Sequence, residues 1–399
     1  MQSRRKFIGK VATGLAGTFA TSGVLGANDR VRFGLIGAGA RGSELLREAL
    51  ACPNTECVAV ADVYRRRLEE AQAIAPGART YSDYRRLLAD NSLDAVLIAT
   101  PPHLHAEQFV AALDAGKHVY QERTMAFTVE DAKRMRAAWQ HAGNRTVQIG
   151  HQACSSGQVL DAAAFLKPEL MGKITGLRAQ FFRNTPRGKA QWVRPVYPGM
   201  TPENVDWEAF LGQAPRREFD PFRFQNWRLF EDYSGGSVTE NLSAQLAFWY
   251  RMLGLEIPHA VTMTGGLYLW KDGREVPDTM HVSMEHAEEI LFSWDSGFGN
   301  SQPGVSEEVL GTDGTILRGQ QIRYLPQKVN RPDGNEMAGT ARTEPRAHMQ
   351  NFLDGIRTGR EPNCGVELGF RVSIACRMAL ESYRQQRSVL WDPAREEIV

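Results

Sequence analysis

The stretch VRFGLIGAGARGSELLREAL, residues 31–50, decides the fold. An apolar run leads directly into the glycine turn Gly37-Ala38-Gly39-Ala40-Arg41-Gly42, and an amphipathic helical pattern follows. In this spacing the first glycine makes a tight turn, the second lets the backbone approach a diphosphate, and the third lets helix and strand pack closely. The free N–H groups at the helix N-terminus favour negative charge. The stretch therefore predicts a strand, turn and helix that bind a dinucleotide.

A carboxylate at the end of the next apolar run supports this interpretation. Asp62 follows ECVAVA, 25 residues after Gly37, where an acidic side chain accepts hydrogen bonds from the adenosine ribose hydroxyls. The same charge repels the 2'-phosphate of NADP, although Arg65 and Arg66 just beyond could hold one. We expect NAD rather than NADP, held tightly.

Apolar and helical patterns alternate from residue 31 to about residue 150. The strand candidates are VRFGLI, ECVAVADV, LDAVLIAT, KHVYQE and TVQIG, and helical patterns lie at roughly 40–51, 64–75, 82–90, 104–116 and 128–142. This alternation predicts α/β architecture, a Rossmann doubly wound parallel sheet.

The pattern changes after Gly150. A helix near 157–166 precedes a long strand, KITGLRAQFFRN, and several strand candidates follow closely from His259, namely AVTMTGGLYLW, TMHVSMEHA, EEILFSWDS and VSEEVLGTDGTILRG. They predict an α+β domain with a large, mostly antiparallel open sheet. Helices return near 343–357 and 365–385, and the later one is a candidate to pack on the first domain. We assign 28–150 to an NAD(P)-binding Rossmann domain and 151–399 to a domain for substrate and oligomerisation.

The first residues have the pattern of an export signal. Ser3-Arg4-Arg5-Lys6-Phe7-Ile8 matches the twin-arginine pattern, and a weakly apolar run of small residues follows. That run is too short and too polar for a stable membrane anchor. We predict a twin-arginine signal peptide over residues 1–27 and a periplasmic or otherwise exported protein. A frayed basic N-terminus is the alternative.

Charge and cysteine usage narrow the class further. The formal net charge is +1, and without residues 1–27 the chain has 43 basic against 46 acidic residues, which indicates no nucleic-acid partner. The odd cysteine count and the absence of CxxC argue against a disulfide framework; the cysteines are Cys52, Cys57, Cys154, Cys364 and Cys376. The histidines show no HxxxH or other ligand set, so no metal is predicted.

Further motifs accompany the glycine turn along nearly all of the mature chain. They are Ala99-Thr100-Pro101-Pro102 followed by His105, Gly116-Lys117-His118-Val119, Val205-Asp206-Trp207, Trp227-Arg228 and Ser234-Gly235-Gly236. In this combination the chain resembles the glucose-fructose oxidoreductase, inositol dehydrogenase and rhizopine-catabolism family, Gfo/Idh/MocA. The resemblance implies an NAD-dependent oxidoreductase that acts on a carbohydrate and forms a homo-oligomer, dimer or tetramer.

The resemblance also implies which residues contact the cofactor. Thr100-Pro101 corresponds to the family's Thr-Pro beside the nicotinamide ribose, and His105 stands at a common family position. Glu122-Arg123 stands where the family has Glu-Lys. These residues are expected to bind the cofactor together with Gly37, Ala38, Gly39, Ala40, Arg41, Gly42 and Asp62.

The sequence departs from the family at its acid–base positions. Arg123 replaces the lysine, and because arginine holds its proton it donates hydrogen bonds but cannot serve as a general base. Ala244 and Ala247 stand where the family commonly carries histidine and aspartate. Helical spacing places both on one face with Glu240, and in the family that face looks into the substrate cleft. The usual set is therefore absent.

Three residues are candidates to supply the missing chemistry. Arg123 can stabilise an anion. His151, just after the sixth strand candidate, titrates near neutral pH, and Glu240 can accept a proton if burial raises its pKa. The alternatives are a histidine packed at the domain junction and an acid that compensates a helix dipole.

The loop from 183 to 228 is rich in arginine and tryptophan. Arg183, Trp192, Trp227 and Arg228 are candidates for substrate contacts, because sugars present hydroxyls to arginine and apolar ring faces to tryptophan. A subunit interface would use the same residue types. The leading hypothesis is an NAD-dependent oxidoreductase that acts on a sugar, sugar derivative or glycoside by hydride transfer. A redox-assisted glycosidase with retained NAD and a catalytically degenerate nucleotide-binding protein are the alternatives.

Overall fold

Two β-sheets organise the chain. A computed structural model describes residues 30–342, 344 and 346–399; the predicted signal at residues 1–27 lies outside this range. The first sheet has six strands in the order β3-β2-β1-β4-β5-β6, and the second has ten in the order β14-β13-β12-β11-β7-β10-β9-β8-β15-β16. The predicted Rossmann sheet and second, larger sheet are both confirmed.

The first unit alternates strands and helices. Its strands are β1 (Val31–Ile36), β2 (Thr55–Ala61), β3 (Arg79–Tyr81), β4 (Ala95–Ile98), β5 (His118–Glu122) and β6 (Val147–Gly150). Its helices are α1 (Ala40–Leu50), α2 (Arg65–Ile74), α3 (Tyr84–Leu88), α4 (His105–Asp114) and α5 (Val129–His141). All strand pairs are parallel. Every residue of β4 is buried, as expected where helices cover both faces of a parallel sheet.

Strand β3 is absent from the sequence prediction. It has three residues at the sheet edge, and two of them are exposed. So short a strand has no apolar run, and only its pairing with β2 defines it.

The second unit packs one face of its sheet against helices. Its strands are β7 (Ile174–Phe182), β8 (Ala260–Gly266), β9 (Thr279–His286), β10 (Ile290–Gly297), β11 (Val305–Gly311), β12 (Gly314–Arg318), β13 (Ile322–Pro326), β14 (Met337–Ala338), β15 (Val389–Asp392) and β16 (Glu397–Ile398). Only β7 and β10 pair in parallel. Burial alternates along β9, where Met280, Val282 and Met284 face the core, which is the pattern of a sheet open on its other face.

The remaining helices connect the sheets. They are α6 (Gln158–Phe165), α7 (Pro168–Met171), α8 (Trp207–Leu211), α9 (Pro221–Gln225), α10 (Ser243–Leu253), α11 (Ala347–Thr358) and α12 (Val366–Gln385), with a π-helical turn over Val238–Leu242 before α10. Helix α12 packs on the first unit: Arg136 lies 3.9 Å from the ring centre of Phe370, and a Cβ on Gly369 would lie 2.7 Å from Ile149. No helix of the described residues is long and apolar enough to cross a membrane.

Residues 183–233, which we term the crossover segment, link the two units. The Asp206 N–H donates to Val63 O at 2.8 Å, and the Arg65 N–H donates to Asn204 O at 3.1 Å. Tyr64, from the first unit, packs in an aromatic cluster with Phe210 and other rings of the segment. The segment is therefore docked on the first unit through both backbone and side chains.

Candidate active site

The glycine turn has the geometry that a diphosphate requires. Gly37 has a φ of 89°, in the region that favours glycine. A Cβ on Gly42 would lie 1.9 Å from Gly37 O, so helix α1 and the turn meet only without a side chain there. At Gly39 the nearest atom to an added Cβ is Arg67 Cζ, at 3.7 Å. Because the protein itself leaves room at Gly39, the space beside it is available to a ligand.

Asp62 is attached to the same turn. Its Oδ2 accepts a hydrogen bond from the Ala38 N–H at 2.7 Å, and its Oδ1 accepts from the Tyr64 N–H at 2.9 Å. Burial raises the pKa of the carboxyl, while Arg67, 4.0 Å away, opposes that rise. Each oxygen retains a lone pair for a ribose hydroxyl.

A cavity of about 860 Å³ opens beside the turn. Its lining includes predicted residues from both units: Gly37, Gly39, Ala40, Arg41, Asp62, Thr100, Pro101, Trp227 and Arg228. The crossover segment forms the opposite wall with Asp206, Phe210 and Arg216. A dinucleotide fits the donor set of this cavity, since a glycine turn, a helix N-terminus and a carboxylate follow one another along it. We term it the nucleotide cavity.

Three other residues predicted to bind the cofactor lie outside the lining of the nucleotide cavity. His105 is fully buried and its two ring nitrogens lie 2.8 Å from Thr100 O and Thr124 O, so it connects the ends of β4 and β5. Ala38 contributes its N–H to Asp62 and Gly42 packs on the turn, as described above. These three residues shape the site and do not line the cavity.

Glu122 joins the glycine turn to the end of β5. Its Oε1 accepts from Arg41 Nε and from Gln152 Nε2, both at 2.9 Å, and its Oε2 lies 3.8 Å from Arg123 Nη1. Burial alone would raise the pKa of the Glu122 carboxyl, but Arg41 and Arg123 outweigh burial and hold that pKa below its ordinary value. A buried carboxylate with two guanidinium neighbours is therefore a fixed negative charge at this position.

Gln152 is a site residue without an assigned role in the sequence prediction. Its Oε1 accepts from Arg123 Nη1 at 2.9 Å, besides the bond to Glu122. The available signal was its position two residues after β6, since Gly150 pairs with Glu122 in parallel register and the ends of adjacent parallel strands meet at one sheet edge.

Arg123 lines a second cavity of about 620 Å³. Its Nε donates to Glu240 O at 3.2 Å, and its peptide bond to Thr124 is cis. The cavity lies between the end of β5, helix α10 and the second sheet, and its lining includes Phe181, Arg183, Asn241, Ala244, Gln245, Glu307 and Arg318. We term it the second cavity.

Glu240 connects the two cavities. Its side chain lines the second cavity, and its Oε1 lies 3.2 Å from Nε of Arg228, which lines the nucleotide cavity. The carboxylate side chain is only 16% exposed. Among the predicted acid–base candidates, Glu240 thus lies at the boundary between both cavities.

The predicted cleft-facing stripe of helix α10 needs a correction. Glu240 and Ala244 line the second cavity, but Ala247 is fully buried and lines neither cavity. Ala247 follows Ala244 by three residues within α10, on a part of the helix that packs into the hydrophobic core.

His151 lies in the interior. The side chain is 1% exposed, both ring nitrogens are buried without a hydrogen-bond partner, and it lines neither cavity. Burial holds its pKa well below the ordinary value, and the nearby positive charge of Arg123 lowers it further. The ring is therefore neutral and does not contact either cavity. Of the acid–base candidates His151 and Glu240, only Glu240 lines a cavity.

The four predicted substrate residues do not form one group. Arg183 lines the second cavity, whereas Trp227 and Arg228 line the nucleotide cavity, with the guanidinium 4.1 Å from the indole centre. Trp192 packs edge-on against Phe298, 5.0 Å between ring centres, and lines neither cavity.

No group of three or more histidine, cysteine or acidic side chains within residues 30–342, 344 and 346–399 could hold a metal ion. The five cysteines are all buried free thiols.

The fold and the nucleotide cavity define a two-unit protein of the dinucleotide-binding class. Family profiles identify it further: residues 31–151 match "oxidoreductase family, NAD-binding Rossmann fold", and residues 212–390 match "oxidoreductase family, C-terminal alpha/beta domain". The chain belongs to the Gfo/Idh/MocA oxidoreductase family, and NAD is the cofactor of its first domain.

Individual relatives match in different ways. Inositol 2-dehydrogenase of Salmonella typhimurium is 38% identical over 122 residues, which is 30% of this chain and 36% of that protein. An uncharacterised oxidoreductase of Streptococcus pneumoniae is 24% identical over 82% of both chains. The chain thus matches about a third of the inositol dehydrogenase.

Solved structures share the fold. Levoglucosan dehydrogenase in complex with NADH and levoglucosan has a TM-score of 0.72 at 18% identity, covering 90% of this chain and 99% of that chain. GenD2 from gentamicin A biosynthesis in complex with NAD has a TM-score of 0.70 at 18% identity, covering 94% and 99%. At such identities the likeness shows the architecture.

Proposed function

We propose that the protein is an NAD-dependent oxidoreductase that oxidises or reduces a hydroxyl-bearing carbon of a sugar, sugar derivative or glycoside. The observation that carries this proposal is the position of Glu240 between the two cavities, with Arg228 on one side and Arg123 on the other. Sugar and inositol dehydrogenases among the relatives favour a carbohydrate substrate.

The nucleotide cavity would hold the cofactor through the glycine turn, Asp62 and Thr100. When bound, NAD supplies the acceptor for a hydride. The chain's own residues have to hold the sugar and move the hydroxyl proton. Gly39 leaves the close approach open for the diphosphate, and Asp62 binds the ribose.

Glu240 would accept the proton of the reacting hydroxyl. An ionised carboxylate is an acceptor, whereas Arg123 carries donors only and stabilises the oxygen as negative charge develops on it. The ion pair with Arg228 orients the carboxylate toward the boundary of the cavities. This division of roles replaces the family's lysine and histidine with one acid and one arginine.

The test measures formation of reduced nicotinamide on a panel of sugars and glycosides. For Glu240→Gln we expect kcat to fall by about 100-fold or more, the usual contribution of a general base, with NAD still bound. Glu240→Asp should recover part of the activity. Glu285→Gln, at an exposed carboxylate on β9, is the matched control and should behave as wild type.

Two results would contradict the proposal. Full turnover by Glu240→Gln would remove Glu240 from the reaction. Bound NAD that no sugar reduces would favour a catalytically degenerate nucleotide-binding protein instead.

The crossover segment supports a second candidate, a redox-assisted glycosidase with retained NAD. Its backbone bonds to Val63 and Arg65 and its aromatic cluster with Tyr64 cover one side of the nucleotide cavity, which favours a cofactor that stays bound between turnovers. Such an enzyme would cleave a glycoside without added electron acceptor, whereas a dehydrogenase needs an acceptor or exchange of NAD. Product analysis with stoichiometric NAD distinguishes them.

We also propose export through the twin-arginine route, supported by Ser3-Arg4-Arg5-Lys6-Phe7-Ile8. Replacing Arg4 and Arg5 by lysine should keep the full-length protein in the cytoplasm of a bacterial host, as fractionation would show. Export of the double variant at the wild-type level would contradict the route.

We propose a homo-oligomer, dimer or tetramer, assembled through the open face of the second sheet. Leu291, Leu390 and Val305 are about half exposed, at 51%, 50% and 48%, and apolar exposure of this kind is typical of interfaces. Light scattering on the purified protein tests the state, and a monomer at micromolar concentration would contradict it.

A further inference from the structure

The charges around the second cavity do not balance within the cavity itself. Its lining carries three arginines and two glutamates. Each glutamate already has an arginine partner. Both carboxylate oxygens of Glu307 accept hydrogen bonds from Arg318 Nη1, at 2.6 and 2.7 Å. Glu240 forms an ion pair with Arg228, which lines the nucleotide cavity. Two arginines therefore remain whose charge is not neutralised by a carboxylate of this cavity.

Arg183 is the more accessible of these two. Its guanidinium lies over the ring of Phe181, 4.5 Å from the ring centre, and its backbone N–H donates to Gly297 O. Within residues 30–342, 344 and 346–399 no carboxylate lies at ion-pair distance from Arg183. The guanidinium donors of this exposed residue are therefore available to a ligand.

Arg123 presents one end of its guanidinium. Nε and Nη1 are used by Glu240 O, Gly150 O and Gln152 Oε1, while Nη2 has no hydrogen-bond partner among the described residues and is not enclosed. Its ion pair with Glu122 is long, at 3.8 Å, and Glu122 is shared with Arg41. Arg123 thus keeps donor capacity toward the cavity.

We propose that the sugar that enters the second cavity carries a carboxylate, which Arg183 binds through its planar fork, with Arg123 as a second cation in the lining of the same cavity. This inference rests on the proposed function, since it names the substrate class of the same site. Arginine binds carboxylates in bidentate fashion, as it does phosphates. The lining also carries Glu240 and Glu307, whose charges repel a phosphate dianion more strongly than a monoanion. A uronic acid or another carboxylated sugar therefore fits best.

The test is calorimetric binding to the protein saturated with NAD. The probes are glucuronate and galacturonate, the neutral hexoses glucose and galactose, and glucose 6-sulfate and 6-phosphate. We expect a carboxylated sugar to bind about tenfold tighter than its neutral counterpart, the worth of one charge-assisted contact of about 1.4 kcal/mol.

Arg183→Gln should remove that preference and leave the melting temperature unchanged, because the side chain is exposed. Arg183→Lys should retain part of it. Arg178→Gln removes an exposed arginine of β7, the strand that ends just before Arg183; it lines neither cavity, and the variant should keep the full preference.

Three outcomes would overturn the inference: equal binding of charged and neutral sugars, an unchanged preference in Arg183→Gln, or binding of the sulfate or phosphate as tight as that of the uronate. Because calorimetry needs no turnover, a carboxylate preference without NAD reduction would contradict only the oxidoreductase proposal. Reduction of NAD by neutral sugars, without tighter binding of carboxylated sugars, would contradict only the inference that the substrate carries a carboxylate.

Discussion

Arg41 Nε lies 2.9 Å from Glu122 Oε1, so an ion pair ties the glycine turn to the end of β5. Glu122 in turn lies beside Arg123, whose donors face the second cavity. The buried carboxylate of Glu122 therefore contacts one arginine from the lining of each cavity. Removal of its charge should affect both stability and the cofactor site.

Glu122→Gln should lower the free energy of unfolding by about 2 kcal/mol, since breaking a buried pair leaves a charge without its partner; Arg41 keeps Glu44 and Glu48, which limits the loss. Urea denaturation at neutral pH measures it. Glu44→Gln, at an exposed partner of the same arginine, should cost less than about 0.5 kcal/mol. Equal losses in both variants would contradict a special role of the buried pair.

The glycines of the turn should respond differently to alanine. Gly39→Ala has room in the protein and should melt at the wild-type temperature, but its Cβ would stand where the diphosphate approaches, so NAD affinity should fall at least about tenfold. Gly42→Ala should destabilise the fold, because its Cβ would overlap Gly37 O. Gly77→Ala, with no atom within 4 Å of the added Cβ, is the control. Calorimetric titration with NAD measures the affinity, and thermal melts measure the stability. Unchanged NAD binding by Gly39→Ala would refute the close approach of the diphosphate to Gly39.

Asp62→Ser should shift the cofactor preference toward NADP. The serine removes the charge that repels a 2'-phosphate, and Arg67, 4.0 Å from the carboxylate, is available to bind it. We expect the NAD to NADP affinity ratio to fall about tenfold or more, the effect of one charge contact. Asp83→Ser, which removes another carboxylate from the cavity lining, should leave the ratio closer to wild type. A ratio unaffected by Asp62→Ser would indicate that the ribose lies elsewhere.

Acid should destabilise the protein through its buried histidines. His348 is buried, with Nε2 3.0 Å from Ile149 O and Nδ1 2.7 Å from Ser155 Oγ, so Nε2 carries the proton and donates to the carbonyl. Burial lowers the pKa of His348 to about 4, and that of His103 also to about 4. In the unfolded chain these rings take up protons near pH 6.5, so stability is lost as pH falls from about 6.5 toward 4, by up to about 1.4 kcal/mol per pH unit for each ring.

The measurement is urea denaturation between pH 7.5 and pH 5. His348→Gln should make the decline shallower, although the variant starts from lower stability. His281→Gln, at an exposed histidine of β9, should reproduce the wild-type slope. A slope unchanged by His348→Gln would contradict this origin.

Much of the first domain was predictable because its signals are local. The glycine turn follows β1 in sequence, and Asp62 stands at the end of the next apolar run, so strand order and turn chemistry brought both to one edge. Helix α10 was less predictable, because its packing on the hydrophobic core decides which of its residues face the cavity. Ala247, predicted to face the cleft, lies in the core instead.

The sequence by itself determined the parallel sheet, the position of the cofactor turn and the fixed positive charge of Arg123, since each depends on neighbouring residues or on residue type alone. Only the tertiary structure decided that Glu240 lies between the cavities while His151 lies in the interior. It also separated Arg183 from Trp227 and paired Glu307 with Arg318. The physical reason is that exposure and pairing of a charge depend on residues far apart in sequence, whose approach is set by how the two sheets and the crossover segment pack.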